Sequence, residues 1–125
     1  RVAQTLLQLA ETFGKPLTGH QVMRVKLADM ARQIGTTQAW VDQLAWQSKE
    51  GVGQPADYAM LKVQATQMLE RVARDACQVL GGASYLQGSK VERIYREVRV
   101  NAIGGGSEEI MLDLAGRQLF GGGKG

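Results

Sequence analysis

Three consecutive glycines, Gly104–Gly106, stand directly before Ser107 and two acidic residues, Glu108 and Glu109. A serine followed by acidic residues is typical of a helix start. The backbone N–H groups of such a start can bind a phosphate, and glycines would let it approach closely. The two glutamates argue against this chemistry, because they already complement the helix dipole and repel an anion. The residues alone favour a flexible turn followed by a capped helix, with an anion site as the alternative.

The other residues that could do chemistry stand apart from one another. The chain has one histidine, His20, and one cysteine, Cys77, which excludes the usual zinc sets and an internal disulfide. Cys77 lies in an apolar-rich run and fits a small buried residue. His20 fits the region before a helix, and Gln21 and Gln78 fit solvated positions. No nucleophile–base pair or paired carboxylates emerge, so these residues predict neither a metal site nor a catalytic site.

Size and composition predict one soluble globular domain. The chain has 125 residues, of which 44% are hydrophobic and 22% charged, the balance of an ordinary folded domain. No apolar run approaches the roughly 20 residues of a membrane span, and the start carries no signal-peptide pattern. The formal charge is +3, but basic and acidic residues are interleaved, which argues against a nucleic-acid-binding surface. A single cysteine favours a reducing compartment.

The start of the chain lies inside a helical pattern. There is no initiator methionine, and apolar residues already recur at helical spacing, at Val2, Leu6, Leu9 and Phe13. This favours a fragment of a longer protein.

Glycines and prolines divide the rest into helices. Gly14, Pro16 and Gly19 predict a break after the first helix. Two long helices are predicted over residues 20–50 and 56–80, and two shorter ones over residues 90–102 and 107–119. Their apolar residues step by three and four, the period of helices packed in a bundle. The predicted inward positions are Met23, Leu27, Met30, Ile34, Thr37, Val41, Leu44, Ser48, Leu61, Ala65, Met68, Val72, Ala76, Val79, Val91, Ile94, Tyr95 and Val98.

These patterns predict an all-α, up-down four-helix bundle with two long and two or three shorter helices. The domain spans residues 1–120, and residues 121–125 form a disordered glycine-rich tail. Trp40 and Trp46 fall off the main stripe of their helix. Such aromatic residues are enriched at interfaces, so they predict an oligomer contact.

Three stretches together resemble the C-terminal helical domain of the acyl-CoA dehydrogenase family. TFGKPLTGHQVMRVKLADMA (residues 12–31) resembles that family's loop and following helix. CQVLGGASYLQGSKVERIYREVRV (77–100) resembles its Gln-x-x-Gly-Gly segment and the helix with a Tyr-Arg-acidic signature. IGGGSEEIMLDLAGRQL (103–119) resembles its final turn and helix. The stretches occur in the family's order and spacing and cover nearly the whole chain.

The resemblance implies a flavoenzyme that binds FAD and oxidises an acyl-CoA thioester to its 2,3-enoyl form. In that family a base removes the α-proton while a β-hydride passes to FAD, and an electron-transfer flavoprotein then takes the electrons. The resemblance also implies an N-terminal helical domain, a middle β domain, and a homo-oligomer, dimer or tetramer, formed through the bundle. It implies a bacterial cytoplasmic location in preference to a mitochondrial matrix. We expect this chain alone to be inactive.

The resemblance further implies which residues approach FAD. Gln78 and Gly82 would reach it from the neighbouring subunit, and Ser107 and Glu109 would lie near the adenosine-side phosphate and ribose of their own FAD. Those near its adenine and pyrophosphate portion would be Thr12, Phe13, Leu17, His20 and Gln21.

Two positions depart from the family's pattern. Ala10 stands where the family usually has an arginine that contacts FAD, a loss of about 1–3 kcal/mol of binding. Gly105 stands where many members carry the catalytic glutamate, so no catalytic residue is expected in this chain. Long-chain and branched-chain members resemble this sequence at Gly105 and supply the glutamate from an earlier helix. The alternative is a non-catalytic relative whose bundle serves oligomerisation or interaction.

Overall fold

The computed structural model describes residues 19–121. No strand occurs within them, so the all-α bundle with two long and two shorter helices is confirmed. The helix boundaries lie within one residue of those predicted from the sequence. The helices are α1 (Gln21–Lys49), α2 (Pro55–Leu80), α3 (Lys90–Ile103) and α4 (Glu108–Phe120), with a 3₁₀ turn at Gly81–Ser84.

Several sequence predictions fall outside the described residues. They are the first helix, the contacts of Ala10, Thr12, Phe13 and Leu17, and the tail beyond Gly121. Among the helices that are described, none is long and apolar enough to cross a membrane.

Local signals explain where the helices begin. Pro55 is the first residue of α2, where its missing N–H costs no helical hydrogen bond. Ser89 caps α3, because its hydroxyl accepts a hydrogen bond from the Glu92 N–H at 3.1 Å. Ser107 caps α4 in the same way, accepting from the Ile110 N–H at 3.5 Å. The cap predicted at Ser107 is therefore confirmed.

The two long helices pack antiparallel. Lys26 on α1 pairs with Asp75 near the end of α2, at 3.8 Å. Further along α1, Thr37 accepts a hydrogen bond from the Gln64 amide at 3.3 Å. The start of α1 therefore lies beside the end of α2. Between them lies the main apolar cluster, formed by the buried residues Met30, Val72, Ala76 and Val91.

The second long helix is the centre of the fold, because α1, α3 and α4 all pack against it. Arg99 on α3 pairs with Glu70 at 2.8 Å, and Glu108 at the start of α4 accepts from the Gln67 amide at 2.9 Å. Both α3 and α4 are antiparallel to α2, since later residues of each helix contact earlier residues of α2. The α2–α4 contact is a second cluster of small buried residues, Ala56, Ala59 and Ala115.

This central position shifts the buried face of α2 from the predicted stripe. In its first half, Leu61, Ala65 and Met68 are only half-buried. A helix that touches three neighbours buries a wider arc than the single stripe that sequence periodicity marks. The buried residues there are Ala56, Ala59, Val63 and Thr66.

Three positions predicted to face inward are exposed, namely Val41 (38%), Ser48 and Tyr95 (48%). Ser48 lies in the last turn of α1. Tyr95 lines an open cleft between α2 and α3, where α2 presents Arg71 and Arg74. Long charged side chains keep their ends in water, so the helices do not close over the ring. Val41 stands between Thr37 and Leu44 in the stripe of α1, and both of these residues are buried.

Candidate functional site

Four of the residues singled out from the sequence lie at the same end of the bundle. His20 and Gln21 lie at the start of α1, and Gln78 and Gly82 lie at the end of α2 and in the following turn. The antiparallel pairing of α1 and α2 brings these ends together. All four residues are exposed. His20 occupies the N-cap position of α1, but its side chain makes no cap hydrogen bond.

The two neighbouring glycines at this end, Gly81 and Gly82, differ in whether the backbone conformation requires them. Gly81 adopts φ +60°, a backbone conformation that favours glycine. Gly82 has no such backbone requirement, and a Cβ there would meet no other described atom within 4 Å. The packing of the described chain therefore does not explain a glycine at position 82. Its exposed backbone can accept the close approach of another molecule.

A serine fixes the turn that carries Gly82. The Ser84 hydroxyl lies 2.9 Å from the Cys77 carbonyl and 2.7 Å from the Gly81 carbonyl. These contacts tie the turn to the last residues of α2. Burial raises the pKa of the Cys77 thiol, the hydrogen bond with Ser84 partly offsets this, and the Glu92 charge raises it further. A raised pKa does not favour a nucleophilic thiolate, and Cys77 is half-buried against the main apolar cluster.

The second candidate region is the turn between α3 and α4. Gly105 adopts φ +72° and Gly106 φ +114°, so both favour glycine on backbone grounds. A Cβ on Gly106 would lie 2.1 Å from the Met111 terminal methyl, whereas a Cβ on Gly105 would meet no described atom within 4 Å. Gly105 is exposed. The turn therefore leaves open space beside Gly105.

Two α2 side chains that sequence reasoning missed hold this turn. The Lys62 ammonium donates to the Gly106 carbonyl and, at 3.5 Å, to the Ala102 carbonyl. The Gln67 amide donates to the Glu108 carboxylate at 2.9 Å. One available signal was a lysine within the apolar run Ala59–Val63, on the face that α2 buries.

The acidic residues of the turn are engaged with the start of α4. The pKa of Glu109 is lowered, first by a hydrogen bond from its own backbone N–H, then by one from the Ser107 hydroxyl, and then by the charge of Arg99. Glu108 accepts from Gln67. The start of α4 is therefore capped from within the chain and carries two negative charges. A phosphate is disfavoured there, as the two glutamates predict, whereas hydroxyl donors would find acceptors.

A single chain does not bring the two regions together. The turn lies beside Lys62 and Gln67, whereas Gln78 stands 11 residues further along α2, a distance of about 16 Å at the helical rise per residue. Within residues 19–121, no group of three or more His, Cys, Asp and Glu side chains converges as a metal site would require.

Comparison with known proteins gives this arrangement a family. Residues 2–120 match the family model of the acyl-CoA dehydrogenase C-terminal domain. A probable acyl-CoA dehydrogenase of Escherichia coli, YdiO, is 37% identical over 108 residues, covering 86% of this chain and 28% of the relative. The mitochondrial isovaleryl-CoA dehydrogenase of rice is 31% identical over 119 residues, covering 95% of this chain and 29% of the relative.

Solved structures agree. A probable acyl-CoA dehydrogenase of Mycobacterium abscessus matches with a TM-score of 0.84 and 35% identity, over 94% of this chain and 33% of that one. Butyryl-CoA dehydrogenase of Megasphaera elsdenii matches with a TM-score of 0.83 and 32% identity, also over 94% and 33%. The chain thus spans about a third or less of these relatives, and it belongs to the acyl-CoA dehydrogenase family, as its C-terminal helical domain.

Proposed function

We propose that the chain is the FAD-contacting and oligomerisation domain of a flavin-dependent acyl-CoA dehydrogenase that takes its catalytic base from outside this chain. One observation carries the proposal. His20, Gln21, Gln78 and Gly82 form an exposed polar surface at one end of the bundle, and the described chain's own packing does not require the glycine in it.

The residues of this surface fit FAD. Imidazole and amide groups can donate to the pyrophosphate and accept from the adenine. Gly82 lets a phosphate or ring come close to the backbone. When bound, FAD supplies the acceptor for the hydride that leaves the β-carbon of the acyl-CoA.

The turn before α4 fits the ribose better than the phosphate. Glu109 keeps a low pKa, so it is an anion near neutral pH and accepts hydrogen bonds from hydroxyl groups. Its charge and that of Glu108 would repel a phosphate. We assign Glu109 and Ser107 to the adenosine ribose.

The distance between the two regions supports a contribution from two subunits. About 16 Å along α2 separates the turn from Gln78, so both regions of one chain need not serve one cofactor. In a homo-oligomer, a dimer or tetramer, the polar surface that Gln78 and Gly82 share with His20 and Gln21 would reach the FAD of the next subunit. Trp46, which is 59% exposed, and Trp40 are candidates for the contact between subunits.

The proposed reaction needs a base that this chain does not contain. Gly105 has no side chain, Glu108 accepts a hydrogen bond from Gln67, and Glu109 has a lowered pKa, which makes it a poor proton acceptor. A carboxylate from elsewhere in the protein would fill the open space beside Gly105. The substrate of the whole enzyme would be an acyl-CoA thioester, and the electron acceptor of its flavin would be an electron-transfer flavoprotein. The enzyme would act in a bacterial cytoplasm.

A non-catalytic relative is the second candidate, favoured by Gly105 itself. In that case the bundle would serve only oligomerisation or interaction. The retained polar surface around Gln78 and Gly82 argues for the first candidate, since oligomerisation alone does not require it.

Flavin content tests the proposal. Gly82→Leu in the intact protein would place a side chain against the cofactor, and we expect purified protein with far less bound FAD. Gly35→Leu is the matched control, because Gly35 is exposed, helical and equally free of described neighbours within 4 Å. If both variants keep a full complement of flavin, the surface does not hold FAD.

A further inference from the structure

The ammonium of Lys62 is aimed into the fold. Lys62 lies in the middle of α2 and is half-buried. Its Nζ donates to the carbonyls of Gly106 and Ala102, which are 44 and 40 residues away in sequence. Among the described residues it has no carboxylate partner within 4 Å. Lysine usually keeps its charged end in water, so this contact with the α3–α4 turn calls for an explanation.

Both acceptors lack an alternative partner within their own helix. Ala102 is the penultimate residue of α3, and the last carbonyls of a helix have no intrahelical donor. A cation at this end also complements the helix dipole. Gly106 follows Gly105 in the turn, outside both helices. One ammonium therefore satisfies carbonyls on both sides of Gly105.

The glycine-rich sequence of the turn does not by itself restrict the backbone to one conformation. Glycine populates left-handed and right-handed regions about equally, and two consecutive glycines here have positive φ. Gln67, five residues further along α2, holds the next segment through Glu108 at 2.9 Å. The turn is thus attached to α2 on either side, and Lys62 is the attachment nearest to Gly105.

We propose that Lys62 is a positioning residue, whose ammonium fixes the turn at Gly105 and thereby the space that this turn leaves for the incoming carboxylate. The inference rests on the proposed function for the role of that space. The attachment of the turn by Lys62 stands on the geometry alone. Lys62 acts through the backbone and does not contact the reacting atoms.

Hydrogen–deuterium exchange on the intact protein tests the attachment. In Lys62→Met we expect the amides of residues 104–110 to exchange about 10-fold faster, because a charge-assisted hydrogen bond is lost. Lys62→Arg should restore slow exchange, since a guanidinium can donate to the same carbonyls. Lys49→Met, which removes a lysine from the last turn of α1, should leave residues 104–110 unchanged.

The same variants connect the turn to the reaction. In Lys62→Met, flavin reduction by acyl-CoA should slow about 10-fold with unchanged flavin content and KM, and Lys62→Arg should recover most of the rate. Unchanged exchange at residues 104–110 in Lys62→Met would overturn the inference, and so would faster exchange across all four helices, which would mean general destabilisation. If the wild-type flavin is not reduced at all, the proposed function fails, while the exchange data still decide whether Lys62 holds the turn.

Discussion

Gly105 and Gly106 show how two neighbouring glycines can be needed for different reasons. At Gly105 the reason is the backbone alone, because φ is +72° while the space for a Cβ is open. At Gly106 a positive φ is combined with contact against Met111. The sequence predicts a turn from this glycine run, but the conformation of each residue depends on the contacts with α2 and α4.

Substitutions at these positions should separate the two effects. We expect Gly105→Ala to destabilise the protein by about 1–2 kcal/mol, because a residue with a Cβ is strained at positive φ. Gly106→Ala should cost at least as much, since Met111 must also move. Gly35→Ala, at an exposed helical position, should instead stabilise by about 0.5–1 kcal/mol. Denaturant unfolding measures all three, and equal effects at positions 35 and 105 would contradict this account.

The roles of Lys62 and Gln67 could not be predicted from sequence periodicity. Their partners lie 40 to 44 residues away, so local spacing contains no trace of the contact. Ser107 could be predicted, because an N-cap bonds only within its own first turn. The predictable part of the site is therefore the part whose interactions are local.

At the scale of the helices, the boundaries follow from strong local signals. Pro55 begins α2, and Gly81 and the glycine run end helices, where the sequence indicates. In addition, α1 buries Met30, Thr37 and Leu44 as its stripe predicts. In its second half α2 buries Val72 and Ala76 as its stripe predicts, but in its first half the buried face does not follow the stripe, because that face depends on three neighbours. Periodicity marks the direction of one apolar face, and it does not show how many helices share it.

The main apolar cluster should contribute strongly to the stability of the bundle. Met30 is 1% exposed and packs with Val72, which is fully buried. We expect Met30→Ala to destabilise the protein by about 2–5 kcal/mol, through lost apolar burial and a cavity. Val22 lies on the same helix but is 66% exposed. Val22→Ala should therefore change the free energy of unfolding by less than about 0.5 kcal/mol. Thermal unfolding compares them, and a similar loss in both would mean that this cluster is not the core.

At the scale of the whole molecule, the described helices leave many large apolar side chains exposed. Exposed large side chains occur on every described helix, including Val25, Trp46, Val100 and Leu119. Such surface favours association with other copies or with other parts of a longer protein. The chain spans 28% of a relative such as YdiO.

The chain alone should form a helical oligomer. Circular dichroism should show a strong helical signal, and sedimentation should show a species larger than one chain, because association covers the exposed apolar residues. A well-behaved monomer with a strong β signal would contradict both expectations.

The isolated chain should bind FAD weakly or not at all. In the proposed function the isoalloxazine pocket would need a β domain in addition to this bundle, and Ala10 would lack the arginine contact that the resemblance implies. Flavin fluorescence titration measures the affinity. A yellow purified protein with stoichiometric FAD would show that the bundle suffices to hold the cofactor.

Flavin reduction in the intact protein tests the central claim most directly. The test follows flavin bleaching by a saturated acyl-CoA in a stopped-flow instrument, for two variants that each convert one glutamate to glutamine. Replacing the proposed catalytic glutamate, which we expect upstream of Arg1, should slow bleaching on the order of 10²–10⁴-fold, the contribution of a general base. Glu108→Gln should change it little, because Glu108 is held by Gln67 at the start of α4. If Glu108→Gln abolishes bleaching while FAD stays bound, the base lies within this chain and the account is wrong.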